Sequence, residues 1–215
     1  MELEMIINER HSTRAFLKKP VSRKKIEKLL FLSTRSPSAI NLQPWEFTVI
    51  MGEERRRLSK TLVKIMRERK ISCGPGAVKP LPGYFIERQQ KLMDCLQPPL
   101  GKEVSFQDFI NEGSCNFYEA PTAIIVTIDQ AFSKSRLVDV GIAVGYMVLT
   151  AHNLGLGTCP IGLISAFADE IKYMLNINAE KDVVLGIGVG YPDPGSPVNK
   201  VESKRAPLNE MVRFY

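Results

Sequence analysis

Two short stretches of this chain place side chains where they could grip an anionic or heteroaromatic ligand. The first is Arg10-His11-Ser12-x-Arg14, which sets two guanidiniums and the Ser12 hydroxyl within five residues. Guanidiniums give paired donors to a phosphate and a serine adds a short single bond. The second is Pro37-Ser38-Ala39-Ile40-Asn41-Leu42-Gln43-Pro44-Trp45. Asn41 and Gln43 each present an acceptor and two donors, the set that reads a pyrimidine-like edge alternating carbonyl and N–H groups. Each stretch also has a plain structural explanation: a surface turn with chance arginines in the first case, a core anchor at Trp45 in the second. Trp45 fits the anchor role, which leaves Ser38, Asn41 and Gln43 as candidates.

Other reactive residue types are poorly placed for chemistry. Cys73, Cys95, Cys115 and Cys159 stand far apart, with no Cys-x-x-Cys pair and only His11 and His152 to complete a metal site. Zinc and iron–sulfur sites are therefore disfavoured, and no metal is expected. His152 falls on an apolar helix and reads as a satisfied helix-end histidine. Gly186-x-Gly188-x-Gly190 sits in a strand with no helix after it, so it lacks the context of a dinucleotide fingerprint. Close backbone packing explains it better.

The elements that must position these residues emerge from periodicity. A helix over 2–9 leads into the basic turn, and Ser22 caps a second helix running to 35. Segment 36–46 is a loop; 47–51 is a short strand ended by Gly52; a basic helix covers 53–70. Residues 72–83 are broken by glycine and proline, and helices over 84–96 and 105–118 flank a turn at Pro98-Pro99-Leu100-Gly101. Residues 123–128 form a buried central strand, 137–154 a long apolar helix with Gly141, Ala143, Gly145 and Ala151, ended by Gly155 and Gly157. Thr158 to Gly162 is a loop or short strand, 168–176 a short helix, 183–191 a second buried strand, and the tail from Pro192 is extended. The few strands and many helices predict an α+β sandwich rather than a regular βαβ alternation.

The chain has 215 residues, 44% hydrophobic and 24% charged, with a net charge of +6. That is enough for one domain, 1–215, with a core of ordinary size. Much of the positive charge falls on helices 22–32 and 53–70, where a solvated face accounts for it. No basic stripe interleaved with aromatics accompanies it, so a nucleic-acid module is disfavoured. No signal-peptide pattern and no apolar run of membrane length is read, and a cytoplasmic protein is expected.

The pairing of ERHSTRAF with SPSAINLQPWEF closely resembles the FMN-dependent nitroreductase family. Gly155-x-Gly157-x-x-Pro160-Ile161-Gly162 resembles that family's third flavin-contacting segment, and Lys204-Arg205-x-Pro207-Leu208 its C-terminal basic patch. The resemblance implies a three-layer α/β/α sandwich with a mixed or antiparallel sheet. It also implies a homodimer with FMN at the subunit interface and a C-terminal tail reaching the partner subunit. By position, Arg10, His11, Ser12 and Arg205 would serve the phosphate and ribityl chain, and Arg14 the N1/O2 edge of the flavin. Pro37, Ser38, Ala39 and Asn41 would reach the cofactor of the other subunit. Pro160, Ile161 and Gly162 would lie against the ring, a Gly162 backbone N–H near N5. Where many members carry an acid this chain has Gly162, which leaves only backbone there, and Ser203 stands where a second cation is common, with Lys204 beside it. Segment 71–118 matches no family pattern and would cover the substrate side.

The activity that the resemblance implies is that of an oxidoreductase in which the flavin carries hydride from NADH or NADPH to a small acceptor, a nitroaromatic or quinone, by a ping-pong cycle. No side chain need act as a catalyst. The rivals are a specialised enzyme on the same scaffold, dehalogenating or flavin-fragmenting, and a flavin-binding protein without turnover.

Overall fold

Strand β2 (Thr122–Asp129) is buried along nearly its whole length, because it has neighbours on both edges and helices on both faces. In this computed structural model, which describes residues 2–215, β2 lies between β1 (Trp45–Met51) and β4 (Lys181–Gly190), with β3 (Gly157–Ile161) outside β4. Every pairing is antiparallel. Alternation along β2 divides the core: Ile124, Val126 and Ile128 point to one face, Ala123 and Ile125 to the other.

The first face is covered by α2 (Arg23–Ser33), through Ile26 and Leu29, and by α6 (Leu137–Asn153), through Val140, Ala143 and Met147. Trp45 is buried in this cluster, as its sequence context predicts. The second face is covered by α3 (Gly52–Arg69), α5 (Phe106–Cys115) and α7 (Ala168–Leu175), through Leu58, Leu62, Cys115 and Ile171. The result is the expected α+β, three-layer sandwich. Helix α1 (Leu3–Glu9) and α4 (Gly83–Leu100) lie outside these layers, and α4 fully buries one side chain, Leu96. A single-turn helix, α8 (Leu208–Met211), closes the tail.

Ser22 caps α2 as expected, its side chain accepting from the Lys25 N–H; such a cap contributes about 1 kcal/mol. Several boundaries differ from expectation. Gly52 does not simply end β1: it is the first residue of α3, and its φ of +57° joins strand to helix with no intervening loop. Gly155, at φ +71°, ends α6, whereas Gly157 opens β3. The expected turn at Pro98-Pro99 is absent, because α4 runs through both prolines to Leu100 before Gly101 turns the chain. The tail is not wholly extended, since Pro197–Lys200 makes a tight 3-10 turn.

The largest difference lies at 116–119. The helix expected to reach 118 stops at Cys115, and Phe117, Tyr118 and Glu119 come next in a left-handed turn with φ of 56°, 52° and 61°. Each non-glycine residue costs roughly 1–2 kcal/mol there, so surrounding packing must impose the turn. Glycines supply the room. A Cβ on Gly113 would fall 2.2 Å from the Tyr118 ring, one on Gly186 2.8 Å from the Phe117 ring, and one on Gly188 2.8 Å from the Phe117 carbonyl oxygen. Gly186, Gly188 and Gly190 are thus packing glycines, in keeping with their sequence context. Arg55 on α3 is buried and holds the start of the turn, donating to the Asn116 carbonyl at 3.2 Å and to Ser59 Oγ at 3.3 Å.

Candidate active site

The basic turn after α1 is bound to the edge of the sheet rather than left on the surface. Ser12 bridges Thr158 in parallel, the Thr13 N–H donates to the Thr158 carbonyl at 2.9 Å, and the Leu17 N–H donates to Tyr191. Residues 12–17 therefore run beside β3 and the end of β4, and Arg14 comes to lie next to the strand that carries Pro160 and Ile161. Asn199, which sequence reasoning missed, fixes this placement. Its Oδ1 accepts from the Arg14 and Ala15 N–H groups at 2.9 and 3.2 Å, and its Nδ2 donates to the Ala15 and Asp193 carbonyls at 2.8 and 3.0 Å. One amide thus satisfies four backbone groups, and only its location in a tight turn after a Ser-Pro could have hinted at it.

Arg14, Pro160, Ile161 and Gly162 line one cavity of about 580 Å³. Its other wall comes from the segment 71–118: Cys73, Phe85, Gln107, Ser114 and Tyr118 are among the residues that close it. No aspartate or glutamate lines it. Beside Gly162 the space is open, since a Cβ there would meet no atom within 4 Å. The Arg14 guanidinium makes no well-aligned side-chain bond, and its Nε is buried without a partner. Tyr118 is 6% exposed; burial foremost pushes its phenol up to about 12, with Arg14 and Ser114 in hydrogen-bonding reach pulling it down. Burial also raises the Cys159 thiol to about 11, against the pull of Arg14.

A second basic feature adjoins. Burial first, and then the Arg205 guanidinium, lower Arg10 from its ordinary value. The N-terminal turn and the C-terminal patch are thus near enough for their like charges to act on one another. Two such guanidiniums, neither of them in an ion pair, could serve an anion. Arg205 also donates to the Ser203 carbonyl and hydroxyl, at 2.6 and 2.8 Å. His11 Nδ1 lies 3.1 Å from the Glu9 carbonyl, which only accepts, so that nitrogen carries a proton. His11 Nε2 is left buried and unpartnered.

The loop bearing Pro37, Ser38, Ala39 and Asn41 is not part of this cavity. It sits at the start of α6, where the Ala39 N–H approaches Asp139 Oδ2 at 3.4 Å and Arg136 donates to the same oxygen at 3.0 Å. Within the loop, Gln43 Nε2 donates to the Asn41 side-chain oxygen at 3.1 Å and Ser38 Oγ accepts from the Gln43 N–H at 3.0 Å. Ile40, Asn41 and Gln43 all have positive φ. His152 ends α6 with Nε2 3.5 Å from a Glu9 carboxylate oxygen, poorly aligned for a hydrogen bond, and lies outside the cavity. A groove of about 640 Å³ along α3 and α5 is slightly larger. Three of its cations are already paired, Arg56 with Glu53, Lys64 with Glu68 and Arg67 with Glu112, so it reads as a solvated charged face.

A family model for the nitroreductase family matches residues 7–191. The chain belongs to the nitroreductase family. It is 30% identical over 224 residues to a 4-nitrobenzoate reductase of Pseudomonas putida, with 99% of this chain and 95% of that protein covered. The solved FMN-dependent nitroreductase NfnB of Mycobacterium smegmatis, in complex with NADPH, superposes with a TM-score of 0.88 at 28% identity, covering 99% and 97% of the two chains. A second FMN- and NADPH-dependent NfnB, from sphigopyxis sp. strain HMH, shares the fold at a TM-score of 0.90 with 21% identity, over 100% and 99%. Among the described residues no helix is long and apolar enough to cross a membrane.

Proposed function

We propose that this nitroreductase-family chain is an oxidoreductase that binds FMN and uses it to move electrons from NADH or NADPH to a small acceptor such as a nitroaromatic or a quinone. The observation that carries the reading is the cavity in which Arg14 meets Pro160, Ile161 and Gly162, with Arg10 and Arg205 held together nearby. The donor set suits the cofactor. The Arg10–Arg205 pair, with His11 and Ser12 on the same turn, would hold the phosphate and ribityl chain. Arg14, with an unspent buried donor, would face the flavin's N1/O2 edge, where positive charge favours the reduced, more negative ring. Pro160 and Ile161 would present a flat wall, and Gly162 leaves space for ring and backbone to approach closely.

FMN held there would supply the redox chemistry that links a nicotinamide donor to the acceptor. The chain's own residues bind, orient and exclude water. Among them Phe85, Leu92, Phe106 and Ile110 of the 71–118 segment close the cavity with apolar surface, which suits a planar aromatic acceptor.

The same proposal includes a homodimer. The loop 37–41 stands away from this chain's own cavity, so it is free to serve the cofactor of a second copy. An apolar surface continues from it: Ile40 is 90% exposed and Val138 on α6 64%. Gly141 and Gly145 on α6 have open space where a Cβ would stand. Leu3, Met5 and Ile7 on α1 are exposed as well, as are Phe214 and Tyr215 at the end of the tail. Exposed apolar surface of this extent calls for a partner, and a second copy would cover the part around the loop and α6.

The test is the absorbance spectrum of the purified protein loaded with FMN, then anaerobic titration with NADH and with NADPH. Bleaching near 450 nm and steady turnover with a nitroaromatic or quinone are expected. A protein that takes up no FMN from excess overturns the reading; one that binds FMN but is not bleached is a flavin carrier; one that is bleached yet turns over only halogenated substrates is the specialised enzyme.

A further inference from the structure

The left-handed turn at 117–119 aims one side chain at the cavity. Gly113 leaves space for the Tyr118 ring to fold back against α5, Gly186 and Gly188 seat Phe117, and Arg55 holds the Asn116 carbonyl. The phenol end of Tyr118 then stands with Arg14 and Ser114 at the cavity wall. Packing alone does not ask for a hydroxyl here, since phenylalanine would fill the same buried space. The Arg14 guanidinium can only donate; the acids of the neighbouring cavity that it also lines, Asp108, Glu112 and Glu119, make no ion pair with it, and the Tyr118 oxygen stands beside it in both cavities.

We propose that Tyr118 is a positioning residue, whose neutral phenol oxygen, beside the Arg14 guanidinium but not aligned with it in this structure, becomes its acceptor when the flavin is bound and sets the direction in which that cation is presented to the ring. The choice of acceptor matters. A carboxylate in this place would orient Arg14 but neutralise it; a phenol orients it and leaves its charge available to the ring. Burial, which pushes the phenol up to about 12, keeps it protonated near neutral pH. This inference rests on the flavin reading above.

The experiment is a potentiometric titration of bound FMN in wild type and in Tyr118→Phe, with FMN affinity measured in the oxidised and the reduced state. Without its acceptor Arg14 spreads over more orientations. Tyr118→Phe should then lose about tenfold more affinity for reduced than for oxidised flavin, which lowers the midpoint potential by about 30 mV. In an Arg14→Met background, measured with FMN in excess, the same Tyr118→Phe change should have no effect. Ser114→Ala, which leaves the ring and the turn untouched, should give a smaller shift of the same sign and covers the case in which Tyr118→Phe folds poorly. Equal midpoints in wild type and both single variants overturn the proposal, as does a Tyr118→Phe shift that persists without Arg14. A wild-type protein that takes up no FMN overturns the cofactor reading instead, so the two failures are told apart.

Discussion

A guanidinium with no ion pair keeps its charge for a ligand, and the candidate site has two such places. Arg10 feels the like charge of Arg205, and Arg14 lines a cavity of about 580 Å³ that holds no acid. Removing either N-terminal arginine deletes a charge-assisted bond worth roughly 1.5–3 kcal/mol. Arg10→Ala and Arg14→Ala are therefore each expected to raise the FMN dissociation constant by about 10- to 150-fold, read by fluorescence titration; full retention of yellow colour after dialysis of the double variant would defeat the phosphate assignment. The cysteines give a prediction of another kind. Burial, the leading cause for both, raises Cys159 to about 11 and Cys115 to about 12 from a reference of 9.0. These thiols ionise more readily in the unfolded chain, so the stability they confer is complete below about pH 9 and declines as pH rises toward the folded values. Urea midpoints should fall between pH 8 and pH 10, and Cys159→Ala should flatten that fall; a midpoint that does not move over this interval would contradict it. In the native protein, exposed Cys95 should react with a thiol reagent well before buried Cys115 and Cys159.

At the scale of elements, the periodic segments were legible and the special backbone was not. β2 and α6 declare themselves because unbroken apolar runs leave few alternatives, and Ser22 caps α2 where a serine before a periodic stretch should. The Arg10–Arg14 turn could be named as a site from residue types, but its attachment to β3 depends on Ser12 and Thr13 bonding to Thr158, a pairing of residues with no local pattern. The strand order was likewise beyond reach, because antiparallel partners are chosen by packing on both faces. Hardest of all was the turn at 117–119. Phe, Tyr and Glu give no sign of positive φ, and the glycines that permit it lie elsewhere, at 113, 186 and 188. Gly113→Ala should therefore destabilise by about 1–3 kcal/mol through overpacking and displace Tyr118, whereas Gly141→Ala, with open space around it, should leave the stability of the single chain unharmed; equal effects in chemical denaturation would refute the packing account. Asn199→Ala, which strips the Arg14 and Ala15 N–H groups of their acceptor while the Ala15 and Asp193 carbonyls keep backbone donors, should cost about 1–3 kcal/mol and weaken FMN binding although Asn199 lines no part of the cavity.

For the whole molecule, the proposed dimer, in which the 37–41 loop serves the other copy's cavity, would make assembly and cofactor binding one event. Val138→Glu, placing a charge on the exposed face of α6, is expected to yield a monomer by light scattering that also binds FMN poorly; a monomeric variant with undiminished affinity would show that one copy suffices. The far side of the cavity is built differently. Helix α4 fully buries only Leu96, and the strap before it is held to α5 by a few side chains, the Cys73 N–H donating to Asn111 at 2.8 Å and Gln107 to the Cys73 carbonyl at 3.2 Å. Residues 71–105 thus form an exchangeable cassette on a fixed frame. A transplant of this stretch from another member, keeping Leu96 and the Asn111 and Gln107 anchors, should redirect which compounds are reduced while the prosthetic group stays equally well seated, and drift confined to this stretch would give the lineage new chemistry at little structural risk.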